Sequence, residues 1–424
     1  MRWDAKSSFL KRIGCHPKLL RMIESFHEDM QGTVQYDGSS SEPFPIKSGV
    51  KQGCVLAPTL FGVFFSLLLS YAFSQSEDGV YLHTRSDGNL FNLARLRAKT
   101  KVRRVLIREM LFADDAALTA HTEEALQRLV SCLAHACRDF GLTISLKKTN
   151  ILGQDVSSAP SITIGDYTLE VVENFTYLGS TISSNLSLDA ELNKRIGKAA
   201  TALARLGKRV WDNSKLTIAT KMKVYQACVL STLLYGSESW TLYSHQERKL
   251  HSFHMRCLRR ILGITWQDRV PNKNVLLQAG IPSMFALLTQ RRLRWLGHVC
   301  RMEDGRIPKD ILYGELATGS RPAGRPVLRY KDVCKRDMKA GNINPTGWEA
   351  VAADRSRWRL TVRAGIQSCE KRREEQWEER RERRRQRGAS PPTEPSACFT
   401  CVNCNRACRS RIGLHSHSRS CKPN

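Results

Sequence analysis

Two groups of residues in this 424-residue chain have types and spacing suited to chemistry. The first is the adjacent pair Asp114-Asp115, set in Leu111-Phe112-Ala113-Asp114-Asp115-Ala116-Ala117-Leu118. The apolar runs on either side, Ile107 to Ala113 and Ala116 to Ala120, are short enough for strands, so the pair should close a β-hairpin. Two carboxylates on a rigid turn offer hard oxygen ligands for one or two Mg2+ ions, which would act on a phosphate ester. Asp also closes turns and caps helices with no further task, because its side chain bonds nearby backbone. The pair alone does not choose between these readings.

The second group is Cys401-x2-Cys404, twelve residues, then His417-x3-Cys421. Four ligands at this spacing close a tetrahedron around structural Zn2+, as in a finger-type module with Cys as fourth ligand. Phe399 and Leu414 fall where such a module keeps its small apolar core, and Cys408 stands where a larger apolar residue is usual. Cys398, Cys408 and His415 are spare, which leaves another ligand choice open. Arg406, Arg409, Arg411 and Arg419 around the site suit docking on nucleic acid, without requiring that sequence be read.

The composition names a partner class. Lys and Arg number 67 against 40 Asp and Glu, a formal charge of +27, which argues for a polyanion and for nucleic acid over a membrane surface because the charge is spread along the chain. A basic structural protein would show the same balance, so charge does not name an activity. Fourteen cysteines without a secretory signal behind Met1-Arg2-Trp3-Asp4 make the reducing nucleus or cytoplasm the expected compartment, and secretion is not expected. Between Lys51 and Glu77 there is no charge, but Pro58, Gly62, Ser66 and Ser70 interrupt the run. The reading is a buried core helix and no membrane span.

Other elements must position the acids. Pro17 opens a helix with Leu19, Leu20, Ile23 and Phe26 on one face, and Thr33 to Gly38 reads as a strand turning at Asp37-Gly38. Gly49 to Phe61 is a Gly-containing loop feeding the apolar helix, with Gly53 leaving room for close backbone approach. Thr122 caps a helix with Glu123 and Glu124 in its first turn, closed by Gly141. Leu142 to Thr149 alternates toward a basic pair, and Phe175 to Ile182 reads as a strand with a Gly interruption. Strands and helices packed in this way make an α+β layer.

In order along the chain, Gln52-Gly53 with Pro58 and Phe61, Phe112-Ala113-Asp114-Asp115, Gly141-Leu142 with Lys147-Lys148-Thr149, and Tyr177-Leu178-Gly179 resemble successive palm motifs of the reverse transcriptases of non-LTR (LINE-type) retrotransposons. The resemblance spans roughly residues 10 to 185. It implies a polymerase palm, an antiparallel sheet with packed helices, followed by a helical thumb. It further implies Asp114 and Asp115 as the Mg2+ pair, Gln52 and Gly53 at the nucleotide and template, and Lys148, or else Lys147, beside the triphosphate. Tyr177, Leu178 and Gly179 would grip the primer end. The partners implied are RNA, DNA and nucleoside triphosphates. The chain departs from the family in one respect: an earlier strand whose Asp is the third metal ligand is not found, Asp4 being the only early acid placed to serve and lacking an apolar strand around it. The expectation is an N-terminally truncated polymerase, weak or inactive as an isolated chain. The rival is a non-catalytic nucleic-acid-binding protein.

The second half changes character. From Asp189 to about Leu262, Ile196, Leu203, Leu206, Val210, Val224, Cys228, Leu233 and Leu234 supply helical apolar faces. Residues 266 to 362 are rich in Arg and Trp. The run Arg291 to His298, with Trp348, Trp358 and Arg359, could contact phosphate and stack on unpaired bases, or Leu293, Leu296 and Trp295 could form a core seam. From Glu370 to Arg387 the chain is almost entirely Glu and Arg, and pairs such as Glu379 with Arg383 suit a solvated single helix. The expected division is a partial palm over 1–185, a thumb over 186–265, a basic connector over 266–365, a charged helix and Pro-rich linker over 366–397 and a zinc finger over 398–424.

Overall fold

A computed structural model describes residues 10, 11, 13–46, 49, 53–156, 158–319, 327–389, 399–408, 410–419 and 421. Gln52 and the basic loop 320–326 lie outside the described residues. Helix α1 (Pro17–Ser25) starts on proline, as anticipated, but only Leu20 and Ile23 of its apolar face are buried, while Leu19 and Phe26 are exposed. The short hairpin at Asp37-Gly38 forms, with both turn residues at positive φ as a tight type I′ turn requires. The apolar run becomes helix α2 (Ala57–Phe73), too short to cross a bilayer, and among the described residues no helix is long and apolar enough to do so.

One sheet joins the two halves of the chain. Strands β1 (Val80–Thr84) and β2 (Arg103–Ile107) pair antiparallel, and a strand from much later in the chain adds to the free edge of β1. The next pair, β3 (Glu109–Phe112) and β4 (Asp115–Leu118), is a separate hairpin. The apolar run expected to be one strand from Ile107 to Ala113 is therefore broken at Arg108. Helix α3 (Glu123–Asp139) follows, with Thr122 Oγ1 accepting from Ala125 N at 3.2 Å and Gly141 at φ +67° closing it. Helices α2 and α3 bury Leu68, Ala136, Cys137 and Phe140 between them. The alternating run Leu142 to Thr149 is not a strand. It is a loop ending in a 3-10 turn at Leu146–Lys148, because Thr149 donates both its N–H and its hydroxyl back to Ser145 O. The fold class is α+β as read, but among the described residues the sheet is divided into small sheets of two or three strands instead of running as one continuous palm sheet.

Strands β5 (Asn174–Tyr177) and β6 (Ser180–Ser183) make a second hairpin and lead into helix α4 (Asp189–Arg205). Around α4 and helix α5 (Ser244–Leu262) a core of Leu192, Tyr225, Leu233, Leu234, Leu250 and Leu258 collects, extending to Met284 and Leu288. Leu233 and Leu234 are buried as expected, but Cys228 is exposed. Helix α6 (Met284–Cys300), helix α7 (Ile307–Tyr313), helix α8 (Tyr330–Ala340) and the long helix α9 (Arg355–Ala389) form a second core, and strand β7 (Glu315–Leu316) follows α7 outside it.

That core resolves much of the Arg/Trp-rich region as packing. Trp348 and Trp358 are each 1% exposed, and Leu293 and Leu296 are buried in the same core. Trp358 Nε1 donates to Leu293 O at 2.9 Å, an approach open only because residue 297 is glycine: a Cβ there would strike the indole. Arg292 is buried with Asp337 at 2.8 Å, and Arg336 reaches Glu247 at 3.2 Å, so α5, α6 and α8 are cross-linked by charge. Strand β7 is the one that completes the β1–β2 sheet, and Leu90, from the loop between β1 and β2, enters the second core, where its N–H donates to Glu349 at 3.0 Å. Helix α9 buries Trp358, Val362 and Ile366 and then runs on into solvent, with the expected Glu379–Arg383 pair at 3.6 Å.

Candidate active site and metal centre

The β3–β4 hairpin pairs Phe112 with Asp115, leaving Ala113-Asp114 as a two-residue turn. Ala113 sits at φ +55° and Asp114 does not share that sign, the pattern of a type II′ turn, whose twist matches that of the strands. Both carboxylates are exposed on this tip, and neither accepts a hydrogen bond nor forms an ion pair among the described residues. The side chains are therefore free to ligate, which a pair engaged in capping or neutralised by arginine would not be.

Three anchors hold the tip. Arg108 bridges the root: its Nη1 donates to Phe73 O at 3.1 Å and Ser76 O at 2.8 Å, and its Nε pairs with Glu109 at 2.6 Å. This satisfies carbonyls at the end of α2 that the helix cannot reach itself. Leu118 packs with Val130, Ile151, Ile162 and Leu146, which places the Leu146–Lys148 turn on the same small core as β4. Lys147 and Lys148 are exposed there, with no ion pair among the described residues. The third anchor is Tyr177, whose hydroxyl donates to Met110 O at 3.0 Å and whose pKa is raised by burial and by the charge of Asp115. The predicted Tyr177-Leu178-Gly179 segment thus lies against the hairpin that carries the acids.

That segment is itself a tight turn. Tyr177 pairs with Ser180, and Leu178 and Gly179 stand at φ +48° and +79°, a type I′ arrangement. Leucine in this conformation costs on the order of 1 kcal/mol, so contacts from outside must hold it. Tyr235 Oη donates to Leu178 O at 2.9 Å, and Arg195 donates to Gly179 O. Arg195 is in turn fixed by Glu191 at 2.6 Å and lies 4.5 Å from the Tyr235 ring centroid, while the second Glu191 oxygen accepts from Thr181 N at 2.8 Å. Sequence reasoning missed Arg108, Glu191, Arg195 and Tyr235. An i,i+4 Glu-Arg pair at 191 and 195 was visible, but its burial was not.

Gly53 and Ala113 line the same cavity of about 660 Å3, walled by Ala57, Pro58, Phe61 and Phe65 of α2 and by Leu111. Gly53 takes φ +85°, which favours glycine. The structure thus brings Gly53 beside the acidic turn. Among the described residues no third His, Cys, Asp or Glu joins Asp114 and Asp115 in a cluster.

The second site forms at the C-terminus. A two-stranded pair, Phe399–Thr400 with Ala407–Cys408, is followed by helix α10 (Arg411–Ser418), capped by Ser410. Cys401, Cys404, His417 and Cys421 converge so that one ligand atom from each lies within 4.8 Å of the others. Cys404 Sγ is 3.0 Å from His417 Nε2 and Cys401 Sγ is 3.9 Å from Cys421 Sγ. A zinc tetrahedron with bonds of about 2.3 Å has edges of about 3.8 Å, so the cluster fits Zn2+. Amide donors from Asn403 and Cys404 hold the Cys401 thiol below its ordinary pKa, whereas hydrogen bonding to Cys404, burial and the neighbouring thiols push Cys421 up to about 11. A cation relieves that repulsion. Cys408 lies in the strand pair and His415 on α10, and neither joins the cluster.

Comparison with known proteins bears on the first site. Residues 1–182 match the family model described as reverse transcriptase (RNA-dependent DNA polymerase). An uncharacterized transposon-derived protein of Caenorhabditis elegans is 26% identical over 265 residues, covering 59% of this chain and 94% of that protein. The RNA-directed DNA polymerase from mobile element jockey of Drosophila melanogaster is 24% identical over 258 residues, 60% of this chain and 26% of its own length. Its Drosophila funebris counterpart is 25% identical over 256 residues, with the same coverage. The chain spans about a quarter of the length of the jockey polymerases it matches.

Proposed function

Residues 1–182 belong to the reverse transcriptases of transposon-derived, non-LTR elements, and on that premise we propose that the chain extends a DNA primer on an RNA template at the Asp114-Asp115 turn. The observation that carries this reading is the pair of exposed carboxylates, free of basic partners among the described residues, on a turn tied through Tyr177 to a second turn. Magnesium is commonly held by one or two carboxylates with substrate phosphates and water completing the shell, and Asp114 and Asp115 fit that role. When bound it would supply positive charge at the reacting phosphate. Lys148 would place a cation beside the leaving pyrophosphate, and Gly53 would admit the nucleotide close to backbone. Leu178 and Gly179 would hold the primer terminus for in-line attack by its 3′-hydroxyl.

Among the described residues two acids stand without a third, Asp4 lying outside them, which gives incomplete support for a metal pair, so the activity we propose for the chain is weak. The same feature favours a second reading, a nucleic-acid-binding protein that does not polymerise. Zn2+ at Cys401, Cys404, His417 and Cys421 would be structural in either case, the module docking on RNA or DNA through Arg406, Arg411 and Arg419. Primer extension on an RNA template with Mg2+ separates the readings. The polymerase reading requires extension that Asp114→Asn or Asp115→Asn lowers by ~100-fold or more. Absence of extension by the wild-type chain, with RNA binding intact, selects the second.

A further inference from the structure

Helix α6 carries a stripe that the second core does not use. Arg292, Leu293, Leu296, Gly297 and Val299 face inward, while Arg294, Trp295 and His298 are exposed. Trp295 keeps 36% of its surface open to solvent, in contrast to the buried Trp348 and Trp358, and its ring centroid lies 5.4 Å from that of His298. Arg294 has no acidic partner among the described residues, unlike Arg291, which pairs with Glu238 at 2.7 Å.

A chain of contacts leads to this stripe from the acidic turn. Tyr177 bonds Met110 O next to the acids, Tyr235 bonds Leu178 O, and Arg291 Nη1 donates to Leu234 O at 3.1 Å. Arg291 thus fixes the middle of α6 against the segment that braces the Leu178-Gly179 turn. Residues three, four and seven positions on from 291 share its face and extend it by ~10 Å along the helix. An exposed indole beside an imidazole offers a flat surface for an unpaired base, and a free guanidinium offers a fork for phosphate. Duplex, with its bases already stacked, has no use for the indole.

We propose that Arg294, Trp295 and His298 form a contact surface for single-stranded nucleic acid leaving the Leu178-Gly179 turn. The direction of the strand rests on the polymerase reading, but the surface itself is read by binding. The test measures fluorescence anisotropy of a labelled oligo(U) of about 20 nucleotides, and of a duplex of equal length, on the full chain without nucleoside triphosphates. Trp295→Ala should weaken oligo(U) binding by ~5-fold or more, Arg294→Ala by a smaller factor, and Trp295→Phe should retain most of the affinity, since its ring still stacks. Duplex binding should change by less than about twofold, and Trp266→Ala, which removes a more exposed indole elsewhere, should leave both unchanged. Oligo(U) affinity of Trp295→Ala within about twofold of wild type, or equal losses for oligo(U) and duplex, would overturn the proposal. Failure of wild-type primer extension would count against the polymerase reading and leave this binding comparison standing.

Discussion

Replacing Glu191 with alanine removes the carboxylate that locks the Leu178-Gly179 turn to α4. The side chains of Glu191 and Arg195 are 1% and 5% exposed, so the guanidinium would be left buried without its counter-ion. Breaking one side of such a pair costs roughly 3–5 kcal/mol. The guanidinium keeps its bond to Gly179 O and its place over Tyr235 in both proteins, so it is left partly satisfied and the cost falls at the lower end of that range. A net loss of about 3 kcal/mol follows, expressed locally because Glu191 also accepts from Thr181 N. Hydrogen exchange read by mass spectrometry should show protection of the 174–183 hairpin falling by ~100-fold, while helix α6 is unchanged. The double variant Glu191→Leu with Arg195→Met should recover much of the loss, since it leaves no unpaired charge. Hairpin protection within about threefold of wild type in Glu191→Ala would refute the reasoning, and so would a double variant worse than the sum of its parts.

Removal of zinc should unfold only the C-terminal module: a chelator should expose residues 399–421 to protease and leave the remaining cores protected. Metal analysis should find zinc lost from Cys404→Ser and His417→Ala but kept by Cys408→Ser and His415→Ala, and the reverse pattern would mean the wrong ligands were chosen. Acid should loosen helix α5. His254 is buried, its Nδ1 is 2.8 Å from Tyr225 Oη, and burial together with nearby His251 lowers its pKa from 6.5 to about 4. The folded state prefers the neutral ring, so its stability is full above pH 6.5 and is lost as pH falls toward 4, by roughly 3 kcal/mol in all. Protection of residues 244–262, corrected for intrinsic exchange, should fall over that window in wild type and fall less in His254→Asn. Equal pH dependence in the two would dismiss the assignment.

What the sequence disclosed followed from short-range rules. The acidic turn, the Thr122 cap, the Gly141 stop and the Asp37-Gly38 turn each depend on one or two residues whose backbone preferences are strong. The finger was legible because four ligands must converge, and spacing alone limits how they can. Tertiary pairing was not legible. Alternation in Leu142 to Thr149 suggested a strand, yet Thr149 bonding back to Ser145 made a turn. Nothing local announces that β7 pairs with β1, some 230 residues earlier by the ~order of the chain, because strand partners are chosen by packing. The Arg/Trp-rich segment shows the same limit, since one composition yields buried Trp348 and Trp358 beside an exposed Trp295.

The proposed polymerase reading requires a divalent ion at Asp114 and Asp115, beside the cavity that Gly53 and Ala113 line. Iron-directed cleavage tests it most directly: Fe2+ takes the place of Mg2+, and ascorbate with peroxide generates hydroxyl radicals that cut the backbone within ~10 Å of the bound ion. The account predicts cuts at residues 112–116 and near Gly53 and Tyr177, suppressed by excess Mg2+ and absent from Asp114→Asn/Asp115→Asn. Cleavage that persists in the double variant, or that falls only at the 401–421 cluster, would contradict it.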